Sequence, residues 1–182
     1  MTIIDSLTRR NEEFAAHRFS ADLSLMPTLR TMVVGCADPR VDPAHVLGLQ
    51  QGEAIVIRNI GGRITPATLQ TMGLLAMIPQ LEGAGPLGEF NLVVLHHTDC
   101  GITRLARVPD RLAPYLGVAS DGLEAEAVGD PYAAVRVDVA ALRANPSLPA
   151  GLIVSGLVYD VATGRLDTVV APTPLRDERP GA

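Results

Sequence analysis

Three short apolar runs, each ending in polar residues, set the frame: TMVVGC (31–36), EAIVIRN (53–59) and FNLVVLHH (90–97). The first reads as a buried strand, the second is rich in β-branched residues, and the third has strand length. Helical stretches separate them. DPAHVLGL (42–49) reads as a brief helix with Pro43 in its first turn. TPATLQTMGLLAMIPQL (65–81) keeps a helical period, with Thr65 placed to cap and Pro66 at the first helical position. PYAAVRVDVAALRAN (131–145) is a third helix. GLIVSGLVYDVATGRLDTVV (151–170) reads as two strands about a turn at 162–164. Strands alternating with helices predict an α/β fold: a mostly parallel central sheet flanked by helices, with an antiparallel C-terminal edge strand. The chain's 182 residues suit one domain, and 47% hydrophobic content gives a core that needs no disulfides.

Other segments are read with the same rules. Residues 5–18 form an amphipathic helix capped by Asp5 or Ser6. Residues 83–89 are a loop. Residues 101–116 hold short helical pieces broken by Pro109 and Pro114, residues 117–130 are mobile, and the Pro-rich tail 171–182 is disordered.

Composition removes several function classes. Formal net charge is −5, and all fifteen basic residues are Arg. They are scattered, so the clustered basic face that nucleic acid requires is missing. The charged N-terminus does not read as a secretory signal, and no window reaches the roughly 18 apolar residues of a membrane span. The expected setting is the cytoplasm, where two cysteines point to metal or catalysis before a disulfide.

The strand ends carry the chemistry. In a parallel sheet Cys36, the Arg58–Asn59 pair, and His96, His97 and Cys100 all fall on one edge, where ligands bind in such sheets. Two thiolates and one imidazole make a zinc ligand set with an open fourth position. Neighbouring residues of a strand face opposite ways, so only one of His96 and His97 faces the metal, and spacing leaves open which. In CADPR (36–40), Pro39 holds Asp38 away from helical backbone and so on the side of Cys36. Asp38 can then close the fourth position, or bind Arg40 and accept a hydrogen bond from water at the metal.

Together these pieces resemble the β-class carbonic anhydrases, particularly the short prokaryotic members. That family carries Cys-x-Asp-x-Arg after its first strand and His-x-x-Cys-Gly after its third. This chain has Cys36-Ala37-Asp38-Pro39-Arg40 and His97-Thr98-Asp99-Cys100-Gly101. HVLGLQQGEAIVIRNIGG (45–62) and GLVYDVATGRL (156–166) resemble the family's intervening segment and closing hairpin, so the likeness runs from about residue 30 to about 168.

The resemblance implies one Zn²⁺ per subunit on Cys36, His97 and Cys100, with His96 as a supporting or packing residue. It implies Asp38 and Arg40 as the catalytic pair, with Asp38 a fourth ligand in a closed state. Arg58 and Asn59 take support roles, while Gly61 and Gly101 let backbone approach the site closely. The implied reaction is reversible hydration of CO₂ to bicarbonate by hydroxide generated at zinc. Hydrolysis of carbonyl sulfide or carbon disulfide, and a non-catalytic zinc or bicarbonate-binding role, are the alternatives. The implied assembly is a homodimer or tetramer with the N-terminal helix on a partner subunit. The chain departs from the family in Pro39 between Asp and Arg, in lacking a Gln shortly before the first Cys, and in residues 101–130.

Overall fold

The computed structural model describes residues 1–81 and 90–176. Its elements are α1 (Ile3–His17), β1 (Thr31–Cys36), α2 (Pro43–Val46), β2 (Ala54–Asn59), α3 (Pro66–Leu81), β3 (Asn91–His97), α4 (Ile102–Leu105), α5 (Pro109–Leu116), α6 (Pro131–Ala144), β4 (Ile153–Asp160) and β5 (Arg165–Pro174). Short 3₁₀ turns lie at Pro39–Val41, Ile60–Gly62 and Ser120–Glu126.

The sheet order is β2-β1-β3-β4-β5. The first four strands run parallel, and β5 closes the edge antiparallel to β4, as the sequence predicts. Register aligns the strands almost level. Thr31 lies opposite both Ala54 and Asn91, and Cys36 lies opposite Asn59. The chain passes from β1 to β2 on one side and returns to β3 on the other. The crevice between the ends of β1 and β3 is therefore the topological switch point, where parallel sheets accept ligands.

Val94, Val154 and Val158 of the central strands are fully buried, as are Val135 and Leu142 of α6. That helix buries Ala134, Val135, Asp138, Val139 and Leu142, the stripe a 3.6-residue period aims at a sheet. One aspartate sits within the stripe.

Several local expectations change. Helix α1 is capped by Thr2, not by Asp5 or Ser6. Thr2 Oγ1 accepts the Asp5 N–H at 3.2 Å, while Asp5 Oδ2 accepts the Thr2 N–H at 2.7 Å, a reciprocal box that makes Asp5 the third residue of the first turn. Pro109 opens α5 instead of breaking it, since a first-turn N–H needs no partner, and Pro114 lies inside the helix. Residues 117–130, expected to be mobile, contain the 120–126 turn, and Leu123 and Val128 pack against the cluster of Ile102, Leu112 and Leu116. Of the tail, residues 171–174 continue β5, and Leu175 is buried. The Arg176 guanidinium donates to the carbonyls of Arg143, Asn145 and Leu148. The loop expected at 83–89 and the tail beyond Arg176 lie outside the described residues.

Candidate metal centre

Cys36 is the last residue of β1 and His97 the last of β3, and Cys100 follows in the next turn. Flush strand ends bring all three together. Their sulfur and nitrogen atoms lie within 4.8 Å of one another, and all three residues are buried. The two sulfurs are 3.7 Å apart. Two thiolates bound about 2.3 Å from one tetrahedral zinc stand about 3.8 Å apart, so the pair already has zinc's bite. His97 Nδ1 lies 2.9 Å from the Thr98 carbonyl, which leaves Nε2 as the buried nitrogen without a partner. An imidazole fixed through one nitrogen and bare at the other is arranged as a metal ligand.

Charge points the same way. The hydrogen bond from Cys100, with further help from His97 and the Asp38 N–H, pulls the Cys36 thiol far below its usual range against the cost of burial. Its thiolate neighbour and burial push Cys100 up. Burial lowers the basicity of His97, but the adjacent Cys36 outweighs it and the net shift is upward. Such a pair shares one proton until a cation takes its place. The donor set and its spacing fit Zn²⁺.

Asp38 stands beside this cluster and outside it. Its backbone is extended (φ −56°, ψ 126°), as the following proline requires. Its carboxylate turns to Arg40: Nη2 donates to Oδ2 at 2.8 Å, Nε donates to Oδ1 at 3.1 Å, and the Arg40 N–H donates to Oδ1 at 2.9 Å. Arg40 thereby lowers the Asp38 pKa to about 2. The same guanidinium reaches across to Asp99, which the sequence reading passed over.

Arg58 braces this loop from β2. Its Nε donates to the Cys36 carbonyl at 2.9 Å, Nη2 to the Asp38 carbonyl at 2.7 Å, and Nη1 to Asp42 at 2.6 Å. Asn59 instead ties the following turn through Arg63 and Thr68. Gly61 takes φ +81°, and a Cβ there would lie 2.5 Å from the Ile102 side chain, so close approach demands glycine. Gly101 does not share this role: its φ is −60°, and nothing lies within 4 Å of a Cβ.

His96 faces away from the thiols. Its Nε2 lies 2.8 Å from Asp138 Oδ2, although off the line of a hydrogen bond. Asp138 also accepts from Arg63 Nε at 2.7 Å and from the Ile64 N–H at 3.0 Å, and Arg63 Nη2 donates to Glu126 at 2.8 Å. Strand alternation thus divides the two histidines between a metal cluster and a buried ionic network. The sequence reading missed Arg63, Glu126 and Asp138. A cavity of about 270 Å³, lined by Arg63, His96, His97 and Cys100 among others, adjoins both groups.

Comparison with known proteins agrees with this geometry. Residues 31–117 match the family model described as carbonic anhydrase. The solved carbonic anhydrase of Streptococcus mutans is 32% identical with a TM-score of 0.69, over 93% of this chain and 98% of that one. Beta-carbonic anhydrase 1 of Mycobacterium tuberculosis is 29% identical over 93% of this chain and 99% of its own length. The carbon disulfide hydrolase of Acidianus sp. is 27% identical over 90% of this chain and 87% of its own.

Proposed function

This chain belongs to the β-class carbonic anhydrase family, and from that premise we propose that it catalyses the reversible hydration of CO₂ to bicarbonate. The observation that carries the reading is the buried Cys36–His97–Cys100 cluster with two sulfurs 3.7 Å apart and a bare imidazole nitrogen. These three residues hold one Zn²⁺. Bound there, zinc supplies a Lewis acid that brings the pKa of water to about 7.

The remaining roles fall to the chain itself. Asp38, ionised throughout the neutral range, accepts the hydrogen bond of the reacting water and so fixes its orientation. Arg40 keeps that carboxylate turned from the cysteines, and Arg58 fixes the backbone beneath it. Released from Arg40, Asp38 would be the residue able to supply a fourth ligand and so close the site. Val41, Ile102 and Leu112 give the thiols an apolar surround, which excludes competing water from a small apolar substrate. The proton released when CO₂ and water become bicarbonate passes to buffer.

We place the enzyme in the cytoplasm, because two neighbouring free thiols suit a reducing compartment. No described helix is long and apolar enough to cross a membrane. We also assign it a homodimer or tetramer with α1 on a partner subunit. That helix buries none of its own residues and leaves Ile3, Ile4 and Leu7 exposed.

Stopped-flow CO₂ hydration on zinc-loaded protein, compared with turnover of carbonyl sulfide and carbon disulfide, tests the reading. Rapid CO₂ turnover is expected, abolished together with zinc content in Cys100→Ser. The Acidianus relative makes the sulfur substrates the second reading, and turnover confined to them would establish it.

A further inference from the structure

Asp99 lies between two residues of the metal cluster, is 62% exposed in its side chain, and nonetheless adopts left-handed backbone at φ +50°. Most non-glycine residues avoid that conformation, and aspartate is among the few that enter it as single residues. The conformation presents two acceptors to one guanidinium. Asp99 Oδ2 accepts from Arg40 Nη1 at 2.8 Å, and the Asp99 carbonyl accepts from Arg40 Nη2 at 2.9 Å. The adjoining edge of the same fork, Nε and Nη2, holds Asp38. Arg40 is 47% exposed, so packing alone does not fix the end of its side chain. A planar fork gripped on both edges has one orientation, whereas a fork gripped on one edge can swing about it.

We infer that Asp99 is a positioning residue: its carboxylate and carbonyl clamp Arg40 in the orientation that keeps Asp38 off the metal cluster and aimed at the reacting water. The clamp deepens the proposed function and rests on it for its catalytic consequence. Its geometry is independent of that reading.

The experiment uses zinc-loaded, full-length protein with Asp99→Asn and Asp99→Gly. Both replacements tolerate left-handed backbone, and both keep a main-chain carbonyl while removing the carboxylate. Solvent exchange of the Arg40 Nε proton, followed by ¹⁵N NMR, reads the grip on the fork directly. It should quicken roughly two- to fivefold, the scale of an exposed ion pair. Zinc content should stay at the wild-type level. The kcat for CO₂ should fall with KM nearly unchanged, because orientation and not substrate binding is lost. In an Asp38→Ala background, Asp99→Asn should lower kcat no further.

An unchanged Nε exchange rate would overturn the clamp. So would a kcat loss that persists in full without Asp38, or zinc loss in both Asp99 variants, since each marks a residue that only shapes the turn. Failure of the wild type to hydrate CO₂ would instead remove the functional reading, and the exchange measurement would still decide the clamp.

Discussion

Asp38 is held by a cation on one side and stands beside a metal cluster on the other. Its carboxylate is depressed to about 2 by Arg40, below the ordinary unfolded value near 3.9. A depressed acid stabilises the fold above its unfolded pKa, and that contribution disappears as pH falls through the folded one. Asp38→Asn keeps an acceptor for the Arg40 N–H and removes the charge. In urea melts of zinc-free protein it should cost about 1 kcal/mol above pH 5, discounted for the exposure of Arg40. The difference should shrink below pH 4 and vanish near pH 2. A constant difference across that range would mean the charge does not matter. At this scale the sequence is legible where chemistry follows spacing. Cys36, Asp38, Arg40 and Cys100 lie where their motifs put them, and strand alternation requires the two histidines to part. Asp99 is not legible in this way, because its role rests on a backbone angle that an Asp between Thr and Cys does not announce. Asp138 did leave a signal, as the one acid within the apolar stripe of α6. Its partner Arg63, 75 positions away, has none.

Helix α6 and the strands beneath it carry the core. Leu142 is fully buried, and Leu142→Ala removes its packing against the sheet at a cost of about 2–5 kcal/mol. A chemical melt should move by that amount with zinc content unchanged at low denaturant; a smaller shift would mean the site collapses around the cavity. Elements of strong periodicity are those the sequence locates within a residue or two: β1, β2, β3, α3 and α6; the hairpin is found, but its second strand runs four residues past the expected end. Two of the misreadings have a common cause in proline. Pro109 and Pro114 read as breaks, yet one opens α5 and the other rides inside it. Pro172 and Pro174 read as a tail, yet they belong to β5, an edge strand with no outer strand among the described residues to miss their N–H groups. Whether a proline ends an element or sits within one depends on what lies beside it, and that is tertiary information.

At the scale of the whole molecule, the two ends of the sheet divide their tasks. The site occupies the carboxyl ends, while an apolar groove of about 160 Å³ containing Met32, Phe90, Leu92 and Leu152 lies toward the opposite ends. Helix α1 packs into neither. A fifteen-residue helix that buries nothing is marginal on its own in water. Light scattering should give at least twice the 19.2 kDa chain mass, and dilution to monomer should reduce the helical circular dichroism by the share of α1. A 19.2 kDa species with undiminished helicity would refute a partner role for that helix. The meeting of Cys36 and Cys100 has a separate mechanical meaning. They are 64 positions apart along the chain and 3.7 Å apart in space. An ion gripped by both is a reversible cross-link that ties a long loop, and polymer entropy assigns a loop of that length about 4 kcal/mol. Metal supply to the cell would then set how many copies stay folded as well as how many are active.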